Sequence, residues 1–134
     1  MALVERFEDL FCWQAARKLV EMVYSSCEDG RLSKDFETRG QFKRAALSSM
    51  NNIAEGFGRS SAKESIRYLE IAQGSATEVK SITYALFDMK YLTEEKVMEI
   101  REQAERTKSL TIGFMRYLKN RNPVEKIKPS TQTR

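Results

Sequence analysis

Proton transfer and nucleophilic attack need a poised side chain with a partner, and this chain offers few of either. It has no histidine, and its two cysteines, Cys12 and Cys27, form no Cys-x-x-Cys pair. Zinc sites of the usual kinds and histidine-based catalysis are therefore unsupported. Both cysteines recur at helical spacing among apolar residues and read as small core side chains. Di-metal carboxylate bundles need Glu-x-x-His pairs on facing helices, and the chain has none. Gly56-Phe57-Gly58 follows no strand, so it is a helix stop and not a phosphate cradle. Glu55 and Glu78 could face each other across two helices, but Arg44 and Lys80 are simpler ion-pair partners for them. The expectation is a protein that is not an enzyme and uses no cofactor and no metal.

The remaining chemistry is cationic. Arg116, Lys119, Arg121, Lys126 and Lys128 cluster towards the C-terminus with only Glu125 opposing them, and Tyr117 among them could stack on a base. Cations also gather at a helix C-terminus for plain dipole reasons. Lys43, Arg59, Lys63 and Arg67 are expected to form a second patch around a Gly58-Arg59-Ser60 elbow. One copy of either patch would hold nucleic acid weakly, whereas copies arrayed in a symmetric oligomer would gain avidity. The net charge of +4 over 134 residues is unevenly spread: residues 1–30 carry −3, 31–60 carry +3, 61–92 are neutral and 93–134 carry +4. The chain is acidic at its start and basic at its end, the electrostatic clue to a partner.

A second group of polar residues recurs at helical spacing. At about 100° per residue, Gln41, Arg44, Ser48, Asn52 and Glu55 fall within an arc of roughly 80°. Phe42, Ala46, Ser49, Met50, Ile53 and Phe57 occupy the neighbouring arc. The polar stripe is either a buried network whose members satisfy one another or an ordinary solvated face. Periodicity leaves both open.

Four helices must position these residues. The first runs from about Phe7 to Asp29, with Cys12, Ala16, Leu19, Val23 and Cys27 as its core stripe. Trp13 and Val20 widen that stripe, Phe7, Leu10 and Phe11 crowd its start, and Gly30 ends it. The second helix follows the short link Arg31 to Phe36 and runs to about Phe57. Ser61-x-x-Glu64 reads as a capping box opening the third, Ala62 to Lys90. Leu69, Ala72, Ala76, Val79, Thr83 and Leu86 form its seam, and Tyr68, Ile71, Ser75, Ile82 and Met89 carry the low-polarity arc past half the circumference. That exceeds what a bundle covers and predicts a further contact, most simply another subunit. Thr93 caps the fourth helix, whose seam is Val97, Ile100, Ala104, Thr107, Thr111, Phe114 and Leu118 and which ends before Pro123. The expected fold is all-α, an antiparallel up-down-up-down four-helix bundle over residues 1–122 with a flexible basic tail at 123–134. No run is long enough to span a membrane and no signal peptide precedes the first helix, so the expected location is the cytoplasm.

The segments RAALSSMNNIAEGFGRSS and YLEIAQGSATEV, with FEDLFCWQAARKL near the start, resemble the four-helix-bundle proteins encoded within intervening sequences of bacterial 23S ribosomal RNA genes. The similarity spans roughly residues 7–120. It implies a homopentamer with a basic surface, and kinship with the accessory variability proteins of diversity-generating retroelements, which partner a reverse transcriptase and bind nucleic acid. Gln41, Arg44, Asn52, Ile53, Ala54, Glu55, Gly56, Gly74, Ser75 and Glu78 fall on the family's characteristic positions. Of these, Gln41, Arg44, Asn52, Glu55 and Glu78 are expected to make a structural polar network. Thr38 stands where the family usually places a leucine. The expected function is binding of structured RNA through phosphates by an oligomer. The alternatives are a retroelement accessory protein partnering a reverse transcriptase, and a protein scaffold whose acidic start (Glu5, Glu8, Asp9, Glu21) docks a basic partner.

Overall fold

Apolar stripes recurring every three or four residues must be buried against something, and the four stripes of this chain bury against one another. The computed structural model describes residues 4–121; the expected tail at 123–134, with Lys126 and Lys128, lies outside them. A 3-10 turn at Phe7–Asp9 precedes α1 (Phe11–Ser26), and a second at Leu32–Lys34 precedes α2 (Phe36–Gly56), α3 (Ala62–Asp88) and α4 (Glu94–Asn120). Short loops make consecutive helices antiparallel. α2 packs on α1 and α3, and α4 packs on α3 and α1, closing the up-down-up-down ring. There is no strand among the described residues. None of the helices is long and apolar enough to cross a membrane.

Every member of the seams expected on α1, α3 and α4 is buried, as are Phe42, Ala46, Ser49 and Ile53 of α2. They divide into two core clusters along the bundle. One, with Leu10, Cys12, Ile53, Leu69, Phe114 and Leu118, gathers the start of α1, the α2–α3 elbow and the end of α4. The other, with Leu19, Val23, Phe42, Val79, Leu86 and Ile100, fills the opposite end. The hydroxyls in the seams cost little because each is satisfied within its own helix. Thr107 donates to Gln103 O at 2.9 Å and Thr111 to Thr107 O at 2.7 Å. Ser49 donates to Ala46 O at 2.7 Å.

The helix ends differ from expectation in instructive ways. The first helix is interrupted at Leu10, whose extended backbone (φ −74°, ψ 129°) drops its side chain into the core. That break leaves Phe11 38% exposed, where it was expected to crowd the core. α1 also stops at Ser26, short of Asp29. The capping box at α3 is half formed. Ser61 Oγ accepts the Glu64 N–H at 3.2 Å, but the Glu64 carboxylate is taken by the Ser60 hydroxyl at 2.7 Å and does not return to the Ser61 N–H. Thr93 caps α4 as expected, and Asp35 caps α2 through the Thr38 N–H at 3.1 Å. α3 ends with Lys90 in the left-handed region (φ 61°), its N–H on Phe87 O and the Tyr91 N–H on Leu86 O, both at 2.9 Å.

On α3 the bundle covers Ser75 and half-covers Tyr68 and Ile82, but leaves Ile71 48% and Met89 37% exposed. The arc is indeed wider than the bundle uses.

Gly56, the last residue of α2, is a point of tight approach between the two central helices. A Cβ there would sit 3.0 Å from both Ser65 O and Tyr68 Cβ. Gly74, on the open side of α3, is different: a Cβ at that position would meet nothing within 4 Å. Gly56→Ala should therefore destabilise the protein by about 1–3 kcal/mol through overpacking, despite alanine's better helix propensity. Gly74→Ala should be neutral or stabilising by up to about 1 kcal/mol. Urea unfolding of the two variants beside the parent checks this; equal shifts would mean the α2–α3 approach has no special tightness.

Candidate nucleic-acid interface

Antiparallel packing puts the start of α3 and the end of α4 at the same end of the bundle. Ala62 and Ile66 pack against the same core cluster as Tyr117, alongside Leu69, Phe114 and Leu118. Two cationic groups about fifty residues apart in the chain thereby come to one end. Lys63 and Arg67 stand on the first turns of α3, and Arg116 and Lys119 on the last turns of α4; all four are exposed. Among the described residues, none of the four makes an ion pair or a side-chain hydrogen bond. A shallow groove of about 590 Å³ runs along the start of α3, lined by Lys63, Glu64, Ile66, Arg67 and Glu70. Glu64 and Glu70 thus interleave the cations there.

Other members of the expected patches are placed differently. Lys43 lies thirteen residues before Gly56, about 20 Å along a helix rising about 1.5 Å per residue. It is not at the elbow, and its ammonium sits 4.6 Å from the centre of the Tyr24 ring. Arg59 is at the elbow but turned inward. Its Nε donates to Glu55 O at 2.8 Å, its Nη2 to Glu55 Oε1 at 2.5 Å, and its guanidinium lies over the Tyr68 ring at 4.5 Å. It closes the carbonyl end of α2, work that a helix C-terminus gives to cations. Arg121 is half-buried and has an interaction of its own. Tyr117 packs on the core cluster, which takes much of its ring out of reach of a base. Lys126 and Lys128 lie outside the described residues.

The polar stripe of α2 is a largely solvated face in the single chain. Gln41, Arg44 and Glu55 are exposed, and Ser48 and Asn52 are half-buried. It is nonetheless tied to α3. Ser48 Oγ and Ser75 Oγ are 2.7 Å apart, and Asn52 Nδ2 donates to Ser48 O at 2.9 Å and to Ser48 Oγ at 3.1 Å. Gln41 Nε2 reaches Glu78 Oε2 at a long 3.4 Å. Glu55 pairs with Arg59 and not with Arg44, and Lys80 pairs with Glu105 at 3.0 Å and not with Glu78. Arg44 makes no hydrogen bond or ion pair among the described residues; it covers Gly40.

The two cysteines are poorly placed for nucleophilic chemistry. Both cysteines are buried, and burial pushes the Cys12 thiol up to about 12 and raises Cys27 as well. A thiol held that high is a poor nucleophile at neutral pH. Among the described residues, no group of three or more His, Cys, Asp or Glu side chains could hold a metal ion.

Sequence reasoning missed the aromatic–cation contacts, because neither partner of a cross-helix pair signals the other. Arg31 lies 5.1 Å from the Tyr91 ring and donates to Met89 O at 2.7 Å, while the Tyr91 hydroxyl donates to Asp35 Oδ2 at 3.0 Å. These contacts lock the α1–α2 link to the α3–α4 turn.

Residues 8–113 match the model of a family described as 23S rRNA-intervening sequence protein. Among solved structures, the chain is similar to a protein of unknown function from the S23 ribosomal protein family of Bacteroides thetaiotaomicron. The two share 21% identity and superpose with a TM-score of 0.70 over 78% of this chain and 97% of that one, which is likeness of fold. No functionally curated protein matches the chain.

The Cys12 environment has a consequence for alkaline stability. Its folded-state pKa, about 12, lies above the ordinary 9.0, so the stability it contributes is complete below about pH 9. As pH rises beyond that, the unfolded chain releases the proton first and stability falls, by at most about 1.4 kcal/mol per pH unit from this group. Cys12→Ala should flatten the decline in unfolding free energy between pH 8 and about pH 10. Parallel slopes for parent and variant would show that the thiol is not held protonated by burial.

Proposed function

The chain belongs to the 23S rRNA-intervening sequence protein family, and from that premise we propose that it is a non-enzymatic RNA-binding protein that grips structured RNA by its phosphates. The observation that carries this reading is the meeting of Lys63, Arg67, Arg116 and Lys119 at one end of the bundle, at the surface and, among the described residues, without an ion pair. Paired cations would have to give up a salt bridge to take a phosphate; these give up only water and counterions. Contacts of this kind position a backbone without reading bases, so the binding is strongly salt-dependent and weakly sequence-specific.

The protein works as a homo-oligomer in the cytoplasm, a pentamer on the family resemblance. The exposed Ile71 and Met89 on the open side of α3 support a subunit contact there. An oligomer multiplies a patch of four cations into one long enough to hold several turns of phosphate backbone. A second reading has one observation in its favour. The turn Phe7–Asp9 sets Glu8 and Asp9, with Glu5 before them, at the same end of the bundle as the free cations. A basic protein, such as the reverse transcriptase implied by kinship with retroelement accessory proteins, would dock on that acidic turn and share the RNA.

Purified, nuclease-treated protein titrated against a hairpin RNA at increasing salt tests the main reading. Affinity should fall steeply with salt, and Lys63→Gln with Lys119→Gln should flatten the slope of log K against log salt by about 2. Absence of binding by the full chain even at about 50 mM salt would overturn it.

A further inference from the structure

The cation that does not belong to the elbow marks a second surface at the far end of the bundle. Phe36, Arg39, Gly40 and Lys43 recur at i, i+3, i+4 and i+7 on α2 and so share one helix face. Phe36 is 71% exposed, the most exposed large apolar side chain among the described residues. The Arg39 guanidinium lies 4.7 Å from its ring centre, held there by Nη1 donating to Ser33 O at 2.7 Å. Lys43 extends the face to α1, over the Tyr24 ring at 4.6 Å. Both cations also act on the Cys27 thiol at the end of α1, which places them around one corner of the bundle.

A ring this exposed is not part of the core, since neither cluster includes it. Its surroundings also argue against an apolar partner. The Arg39 guanidinium borders it, Lys43 lies two turns on along the same face, and of the two carboxylates flanking it in the chain Asp35 has both oxygens engaged, by the Thr38 N–H and the Tyr91 hydroxyl. Glu37 falls about 100° round the helix from Phe36, off this face. An aromatic face bordered by ordered cations suits a flat, electron-rich group attached to an anion. That description fits an unpaired nucleobase on its phosphate backbone.

Resting on the RNA-binding reading, we propose that this corner takes unpaired RNA bases, one stacking on Phe36 while Arg39 and Lys43 hold the flanking phosphates. The free cations at the other end would grip paired backbone, and this corner would hold loop or single-stranded bases. A base covers the ring without burying any charge.

The test uses the full chain and two probes of equal length, a single-stranded oligouridine carrying one central 2-aminopurine and a blunt duplex. Binding the single strand should change the 2-aminopurine emission. Phe36→Ala and Phe36→Leu should each weaken single-strand binding about tenfold, and Phe36→Trp should restore it. The duplex should be affected little. Leu keeps apolar area but has no π face, so a Leu variant that binds like the parent overturns the stacking proposal. So does unchanged single-strand binding in all three variants, which would leave the phosphate-binding reading standing. A Phe36→Ala variant that changes elution mass would overturn it in favour of a subunit contact. If the parent binds neither probe, the RNA-binding reading itself fails.

Discussion

The approach of α2 to α3 at Gly56 is the constraint that the rest of the bundle depends on. With no side chain at that position, Ser65 O and the Tyr68 Cβ can come within 3.0 Å of where one would stand. The chain then has only five residues, Phe57 to Ser61, in which to reverse. Those residues are spent on helix ends. Phe57 turns out of the helix, Arg59 folds back onto Glu55, and Ser61 caps the next helix. A bulkier junction would splay the two central helices. The Ser48–Ser75 contact, which needs hydroxyls 2.7 Å apart, would open with them. The Ser48–Ser75 link of the polar stripe thus depends on how close these helices run, near enough for two short side chains to meet.

Much of this was legible in the sequence because burial imposes a period. The seams of α1, α3 and α4 could be named residue by residue, since a side chain one turn out of phase would face water. The caps at Ser61 and Thr93 were legible for the same local reason: a side-chain oxygen needs only its own backbone three residues on. Leu10 was not, because its break depends on a tertiary pull into the core that no local pattern announces. The Schellman end of α3 was also hidden, for it places Lys90 where glycine is the usual signal.

The site was less legible than the fold, and the reason is distance. Sequence proximity grouped Lys43 with Arg59, Lys63 and Arg67, yet α2 is long enough to carry Lys43 to the other end. It separated Lys63 from Lys119, which the antiparallel fold brings to one end. Charge along a chain shows how many cations exist, and only packing shows which are spoken for. Arg59 illustrates the difference: its type and position suit phosphate, but the Glu55 carboxylate already neutralises it.

That distinction between free and held cations carries into how each end would bind. Lys63, Arg67, Arg116 and Lys119 make no ion pair among the described residues, so each must lose side-chain freedom when it meets a phosphate. Their contribution is long-ranged and additive, suited to collecting RNA but not to fixing its pose. Arg39 and Lys43 have already lost part of that freedom to the rings beneath them and to Ser33 O. Pre-ordered groups give up less on binding and tolerate less misplacement. The two ends of one bundle would therefore divide the work, loose electrostatic capture at the elbow end and a fixed, shape-demanding contact at the aromatic one. An oligomer that repeats both would hold a folded RNA in register even though neither end reads a sequence.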